Sequence, residues 1–273
     1  MRTIIAATDF SPVSYNAAYY AADLAAAMNA ELSLINIVQL PVTISEIPIS
    51  GYAFDEMIED SEEELKKLRD KLAEHVKNKI KIDTKIPIGS VPGLLQEEAR
   101  EKKAFAIVLG TDKTTAIEHL FTENHALAAI HGISTPVLIV PEQTSYKNIR
   151  KIVLAADLRE PGKITPLQFL KDWIKLFNAK LDIVNVVKKF QNKPEYAAGT
   201  IALQNELEQF NPEFHFIYED KVTEAIDEYI EQNHPDLLVT IPAKYGFFAR
   251  LFHKSKSKQL IRHPRVPVLS ILE

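Results

Sequence analysis

The chain has 273 residues, of which 46% are hydrophobic and 25% charged, and its formal net charge is −5. At roughly 100–200 residues per domain it is long enough for two domains with full cores, and its acidic balance removes nucleic acid as the default partner. Having no cysteine, it excludes disulfides, thiolate metal sites and cysteine nucleophiles; with no membrane-length apolar run and no charged-apolar leader, it is expected to be a soluble, cytoplasmic protein without a membrane partner.

In chain order, "TIIAAT" (3–8) reads as a strand and "SPVSYNAAYYAADLAAAMNA" (11–30) as a helix. Ser11 is placed to cap that helix, Pro12 suits its first position, and its alanine surface permits close packing on a sheet. "LSLINIV" (32–38) is the second strand. "EEELKKLRDKLAEHV" (62–76) sets Leu65, Leu68, Leu72 and Val76 on one stripe, with Glu–Lys pairs on the opposite face. "IKIDTKIPI" (80–88) is the third strand, and "GSVPG" (89–93) turns into the helix "VPGLLQEEAREKK" with Ser90 as its cap. "AIVLG" (106–110) and "VLIV" (137–140) complete the set. These runs are short, continuous and rich in β-branched residues, as strands covered on both faces of a parallel sheet must be.

The chain then repeats itself. "RTIIAATDFS" and "RKIVLAADLR" superpose with Ile4 on Ile152 and Asp9 on Asp157; "AELSLINIV" (30–38) meets "AKLDIVNVV" (179–187). "AFAIVLG" (104–110) meets "PDLLVTI" (235–241), and "TPVLIVP" meets "VPVLSIL". The spacing predicts βαβαβαβαβ twice, and right-handed crossovers make each copy a doubly wound, Rossmann-like α/β sheet. The expected domains are 1–142 and 148–273, joined through the polar "PEQTSYKN" (141–148).

Enzyme motifs are absent from the residues. The eight histidines include no pair at i, i+4, and His119, His125 and His131 recur at steps of six, so no metal site is expected from helical spacing. "GSVPG" is not a nucleophile elbow, and neither GxGxxG nor a Walker loop occurs. With no acid–base pair or nucleophile in view, a non-catalytic role is expected. Asp9 and Asp157 each end the first strand of their copy. Two readings stay open for them: support for the following helix through the short turn, or a side chain at the rim of a ligand cleft.

"RTIIAATDFSPVSYNAAYYAADLAAAMNAELSLINIV", "AIVLG" and "STPVLIVP" together resemble the universal stress protein family, and the duplication resembles its tandem members. The resemblance implies five-stranded parallel sheets, association of the two copies as an internal pseudo-dimer through "TPVLIVP" and "VPVLSIL", and, in one branch, ATP binding. It also allows a homodimer of whole chains and a role in stress tolerance or signalling, exercised through a protein partner. In the ATP-binding branch the loop after the fourth strand reads Gly, two residues, Gly, nine residues, Gly, then Ser or Thr, and the first-strand aspartate lies by the nucleoside.

Carried over, that loop falls on Gly110, Lys113, Glu123 and Asn124 in the first copy and on Ile241, Lys244, Lys254 and Ser255 in the second. Only Gly110 and Ser255 match. A Cβ blocks the close approach of backbone N–H groups to phosphate. Glu123 adds a like charge, worth roughly 4 kcal/mol of repulsion at about 4 Å and an effective dielectric near 20. The resemblance therefore implies a candidate nucleotide set of Asp9, Val38, Gly110, Lys113, Asp157, Val187, Lys244, Lys254 and Ser255, with ATP or another adenine nucleotide and Mg as the conditional ligand. From Lys244 to Arg265 the second copy carries seven Lys/Arg and no acid. Three readings fit that stretch: a solvated basic face whose aromatics pack inward, a site for anions or nucleotide phosphates, or a patch for a protein or nucleic acid.

Overall fold

The computed structural model describes residues 2–39, 51–111, 135–159, 167–187, 194–241 and 266–271. These fall into two compact units, one ending at Tyr146 and the other beginning at Lys147. The first unit runs β1 (Thr3–Ala7), α1 (Pro12–Met28), β2 (Glu31–Ile35), α2 (Gly51–His75), β3 (Ile82–Lys85), α3 (Val91–Glu101), β4 (Ala106–Thr111) and β5 (Val137–Pro141). Its strands lie in the order β3-β2-β1-β4-β5, and every pair is parallel.

The second unit runs β6 (Lys151–Ala155), α4 (Leu167–Phe177), β7 (Lys180–Val187), α5 (Pro194–Leu207), β8 (Glu213–Tyr218), α6 (Val222–Asn233), β9 (Leu237–Thr240) and β10 (Val268–Ser270). Here the order is β10-β9-β6-β7-β8, again with parallel pairs. It is the arrangement of the first unit read with the superposed strands. Residues 112–134, between β4 and β5, and 242–265, between β9 and β10 and including the basic stretch 244–265, lie outside the described residues.

Burial explains why these sequences are strands. Ile4 and Ile5 are neighbours and point to opposite faces, yet both are fully buried, as are Ile152 and Val153 in the second unit. A strand apolar on both sides needs a layer on each side, and the crossover helices supply it. α1 is the tightest of these. Ser11 caps it by accepting from the Ser14 amide, Pro12 opens it, and Asn29 ends it in the left-handed conformation at φ 51°. Its alanines 17, 18, 21, 22 and 25 have no appreciable exposure, so the helix axis approaches the sheet closely.

α2 starts at Gly51, eleven residues before the stretch read from its pattern, and buries Leu65, Leu68 and Leu72 of the expected stripe, while Val76 is buried just past its end. Lys67 pairs with Glu63 and Glu64 on the outer face. Ser90 occupies the cap position of α3, but its side chain makes no capping bond. The local turn is held by backbone instead, through the Gly89 N–H donating to the Val38 carbonyl at 3.0 Å.

Two glycines record contacts that a side chain would abolish. A Cβ on Gly110 would lie 2.5 Å from the Val13 carbonyl oxygen, and one on Gly199 would lie 2.0 Å from the Leu158 carbonyl oxygen. The second contact presses α5 onto the turn after β6. Gly199→Ala is expected to cost about 1–3 kcal/mol in urea unfolding, the range for overpacking. Gly93→Ala, where a Cβ has no heavy atom within 4 Å, should be neutral or stabilising through helix propensity.

Candidate functional site

The polar groups at the C-terminal ends of the first unit's strands are set by a small network. The Thr8 hydroxyl lies 2.9 Å from that of Ser14 and accepts from the Phe10 amide at 3.0 Å. Asn36 Nδ2 donates to the Thr8 carbonyl at 2.8 Å, tying the end of β2 to the turn after β1. Phe10 takes a left-handed φ of 63°, a conformation a bulky residue holds only when its surroundings impose it. These bonds impose it.

The turn presents Asp9 to solvent, with Oδ1 accepting from the Ser11 amide at 3.0 Å. Partial desolvation pushes its pKa upward, but hydrogen bonding from Ser11 and Ser14 outweighs this and holds the carboxyl below its ordinary value. Asp9 thus supports the cap residue of α1 while the residue stays exposed.

Gly110 stands at the end of β4, on the strand beside β1. Its φ is outside the left-handed region, so the glycine is required for space: α1 begins at the position where a Cβ would go. Packing by itself therefore requires a glycine at this position. Val38, on the other side of β1, is buried and uses both backbone groups, donating to Pro87 O at 3.1 Å and accepting from Gly89 N. Three of the sequence candidates, Val38, Asp9 and Gly110, therefore come from the ends of three adjacent strands.

In the second unit the matching positions are differently engaged. Asn185 repeats Asn36, donating to the Ala156 carbonyl at 2.8 Å. Asp157 is exposed but paired. Its Oδ1 accepts from the Arg159 amide at 3.1 Å and from Arg159 Nε at 2.8 Å, while its Oδ2 is bonded by Nη2 of the same side chain. Leu158 beside it is fully buried beneath the close approach of Gly199. Val187 is buried at the end of β7, with its carbonyl accepting from the Glu219 amide at 3.0 Å. Lys113, Lys244, Lys254 and Ser255 lie outside the described residues.

Sequence reasoning passed over three further features. Asn36 and Asn185 were visible as the shared asparagine of "LINIV" and "IVNVV", a signal in the repeat itself. A charged cleft of about 480 Å³ lies elsewhere in the first unit, with Ser33, Arg69, Asp83, Lys85 and Glu98 in its lining. Glu98 is buried there and accepts from Ser33 Oγ at 3.1 Å and from Lys85 Nζ at 2.5 Å; the bond to Glu98 raises the Lys85 pKa despite partial desolvation. Glu98 is on α3 and its partners come from β2 and β3, and no spacing rule links the three.

Third, Asp227 on α6 is pushed up to about 7 by burial, with the charges of Glu231 and Glu224 adding to the shift. All three acids lie on one helix face, at i, i+3 and i+7.

The sequence profile of the Universal stress protein family matches residues 1–141, more than half of the chain. The chain belongs to the universal stress protein family. Among its relatives, a universal stress protein of Methanocaldococcus jannaschii is 32% identical over 142 residues, covering 51% of this chain and 81% of the relative. Universal stress protein Slr1230 of Synechocystis is 27% identical over 299 residues and is matched over 99% of both chains, as a tandem arrangement requires. A universal stress protein of Archaeoglobus fulgidus has a similar solved structure, with a TM-score of 0.68 at 18% identity, covering 99% of this chain and 98% of that one. A functionally unknown protein from Pseudomonas aeruginosa follows with a TM-score of 0.54 at 13% identity, covering 100% of this chain and 92% of that one. The α/β fold of the family is therefore used repeatedly along this chain. No helix among the described residues is long and apolar enough to cross a membrane.

The raised pKa of Asp227 gives this universal stress protein a signed pH dependence. Because the folded-state value lies near 7 and the ordinary value is 3.8, the group's contribution is intact below about pH 4 and is lost as pH rises through 7. Asp227→Asn should therefore raise the melting temperature above wild type at pH 8, with the gap narrowing toward pH 5. Thermal scans of both proteins at the two pH values check this.

Proposed function

We propose that this universal stress protein is a non-catalytic stress-response protein that works by binding and regulation. In this reading the loop that would cradle a triphosphate is eroded in both units, and the nucleoside end of the cleft is better kept in the first unit than in the second. The contrast between the two strand-end aspartates carries the reading. Asp9 is exposed and engaged by the amide of its own turn, so a ribose hydroxyl would meet a carboxylate oxygen without breaking an ion pair. Asp157 is held by both the amide and the guanidinium of Arg159, and a neutral hydroxyl competes poorly with a charge-assisted bidentate pair.

The phosphate end supports the same view. Of the eight loop positions only Gly110 and Ser255 keep the ATP-binding pattern, and Gly110 has a packing reason of its own. A ligand in the first unit would be recognised at its nucleoside end and gain little from its phosphates. Signalling output then passes through a protein partner rather than through nucleotide turnover.

Isothermal titration of nucleotide-stripped protein with ATP plus Mg²⁺, ADP and AMP tests the proposal. The expected result is weak binding, similar for AMP and ATP, lost in Asp9→Ala and kept in Asp157→Ala. Micromolar ATP binding, about −8 kcal/mol, that far exceeds AMP binding and disappears when Lys254, Lys256 and Lys258 are changed to Glu would overturn it. That outcome would assign the nucleotide to the cationic second unit.

A further inference from the structure

The buried cluster around Glu98 has a counterpart in the second unit, built from different chemistry. The repeat that superposes Ser33 on Asp182 and Glu98 on Tyr229 also superposes Ile35 on Val184. Ile35 pairs with Lys85 and Val184 with His215. The first unit thus has a strand hydroxyl and a lysine that both donate to one helix carboxylate, Glu98. The second has a strand carboxylate, a helix phenol and a histidine. Tyr229 OH donates to Asp182 Oδ2 at 2.7 Å, but the ring nitrogen His215 Nε2 is buried with no hydrogen-bond partner.

An unsatisfied buried imidazole nitrogen calls for an explanation, because a polar atom without a partner is costly in the interior. What surrounds it is a ligand set. The ligand atoms of Asp182, Glu213 and His215 all lie within 4.8 Å of one another, with His215 Nε2 3.8 Å from Asp182 Oδ2 and 4.0 Å from Glu213 Oε2. A four-coordinate ion with bonds of about 2.0–2.1 Å places its ligand atoms roughly 3.3 Å apart. Closing by about half an ångström at the His215 contacts and by up to about 1.5 Å across the whole set is within reach of the exposed Glu213 and half-buried His215 side chains.

We propose that Asp182, Glu213 and His215 form a site for a divalent transition-metal ion of the zinc class, tying the terminal strand β8 to β7. One imidazole and two carboxylates suit zinc, cobalt or nickel better than magnesium or calcium, which take oxygen ligands. Tyr229 orients the Asp182 carboxylate through its hydroxyl, as outer partners of metal ligands do. Its ring also flanks His215, with centroids 5.1 Å apart. Lys151 Nζ lies 2.8 Å from Asp182 Oδ2, so its ammonium competes with the ion for that oxygen and lowers the affinity until it swings toward solvent.

Full-length protein treated with EDTA and freed of chelator is titrated with Zn²⁺ by calorimetry and with Co²⁺ by visible absorption. Wild type should take up one ion at this site, with visible Co²⁺ bands. His215→Ala and Glu213→Gln should each weaken zinc binding by roughly 10- to 100-fold and remove the cobalt bands. Lys151→Met should tighten it by about tenfold, while His75→Ala leaves it unchanged. Glu213 is 75% exposed, so its variant remains folded, which far-UV circular dichroism verifies. No zinc uptake by wild type, the same affinity in His215→Ala, or an affinity unmoved by Lys151→Met overturns the proposal.

Discussion

The first strand of each unit is covered on both faces, and most of the structure follows from that. Consecutive isoleucines at positions 4 and 5 leave no face for water, so helices must occupy both sides, and parallel strands with crossovers are the connection that places them there. Polar chemistry is thereby pushed to the strand ends, where backbone leaves the sheet and side chains such as Thr8, Asp9 and Asn36 meet. Close helix approach then becomes the second constraint. Alanine on α1 and glycine at Gly110 and Gly199 set the distance, and those contacts fix where each turn can present its aspartate.

The fold was legible because this constraint writes itself into local sequence. Short apolar runs marked the strands, Ser11 and Pro12 marked the start of α1, and the leucine stripe of α2 is buried where its period placed it. The repeat aligns β6, β7, β9 and β10 with β1, β2, β4 and β5. Tertiary chemistry was harder to read. The bond between Glu98 and Lys85, the grip of Arg159 on Asp157, and the convergence of Asp182 with Glu213 and His215 each depend on register or rotamer. Helical periods say nothing of His215, which is on a strand, two residues from Glu213 and two register positions from Asp182, the residue that pairs with Glu213. Gly110 carries a packing demand that its sequence context did not show, since a Cβ there would meet the backbone of the neighbouring helix.

Comparing the units shows how a duplicated scaffold diverges under a fixed backbone. At one place behind the second and third strands, the acid has moved from helix to strand and the hydroxyl from strand to helix. Either arrangement buries one carboxylate and surrounds it with donors, which is what the low dielectric demands. The exchange frees the third position to change from lysine to histidine. At the strand-end turn the divergence runs the other way: the asparagine contact is kept, and the aspartate's surroundings differ.

That asparagine contact has a mechanical meaning. By holding the end of the second strand to the turn after the first, Asn36 and Asn185 make two loops behave as one part. The chain between the asparagine and the next helix is longer in the first unit, where α2 begins at Gly51, than in the second, where α5 begins at Pro194. A clamp upstream of the variable segment isolates the turn from that difference in length. Insertions and deletions can accumulate on one side of the tie without displacing the aspartate on the other, leaving the scaffold free to vary its surface while its strand ends keep their geometry.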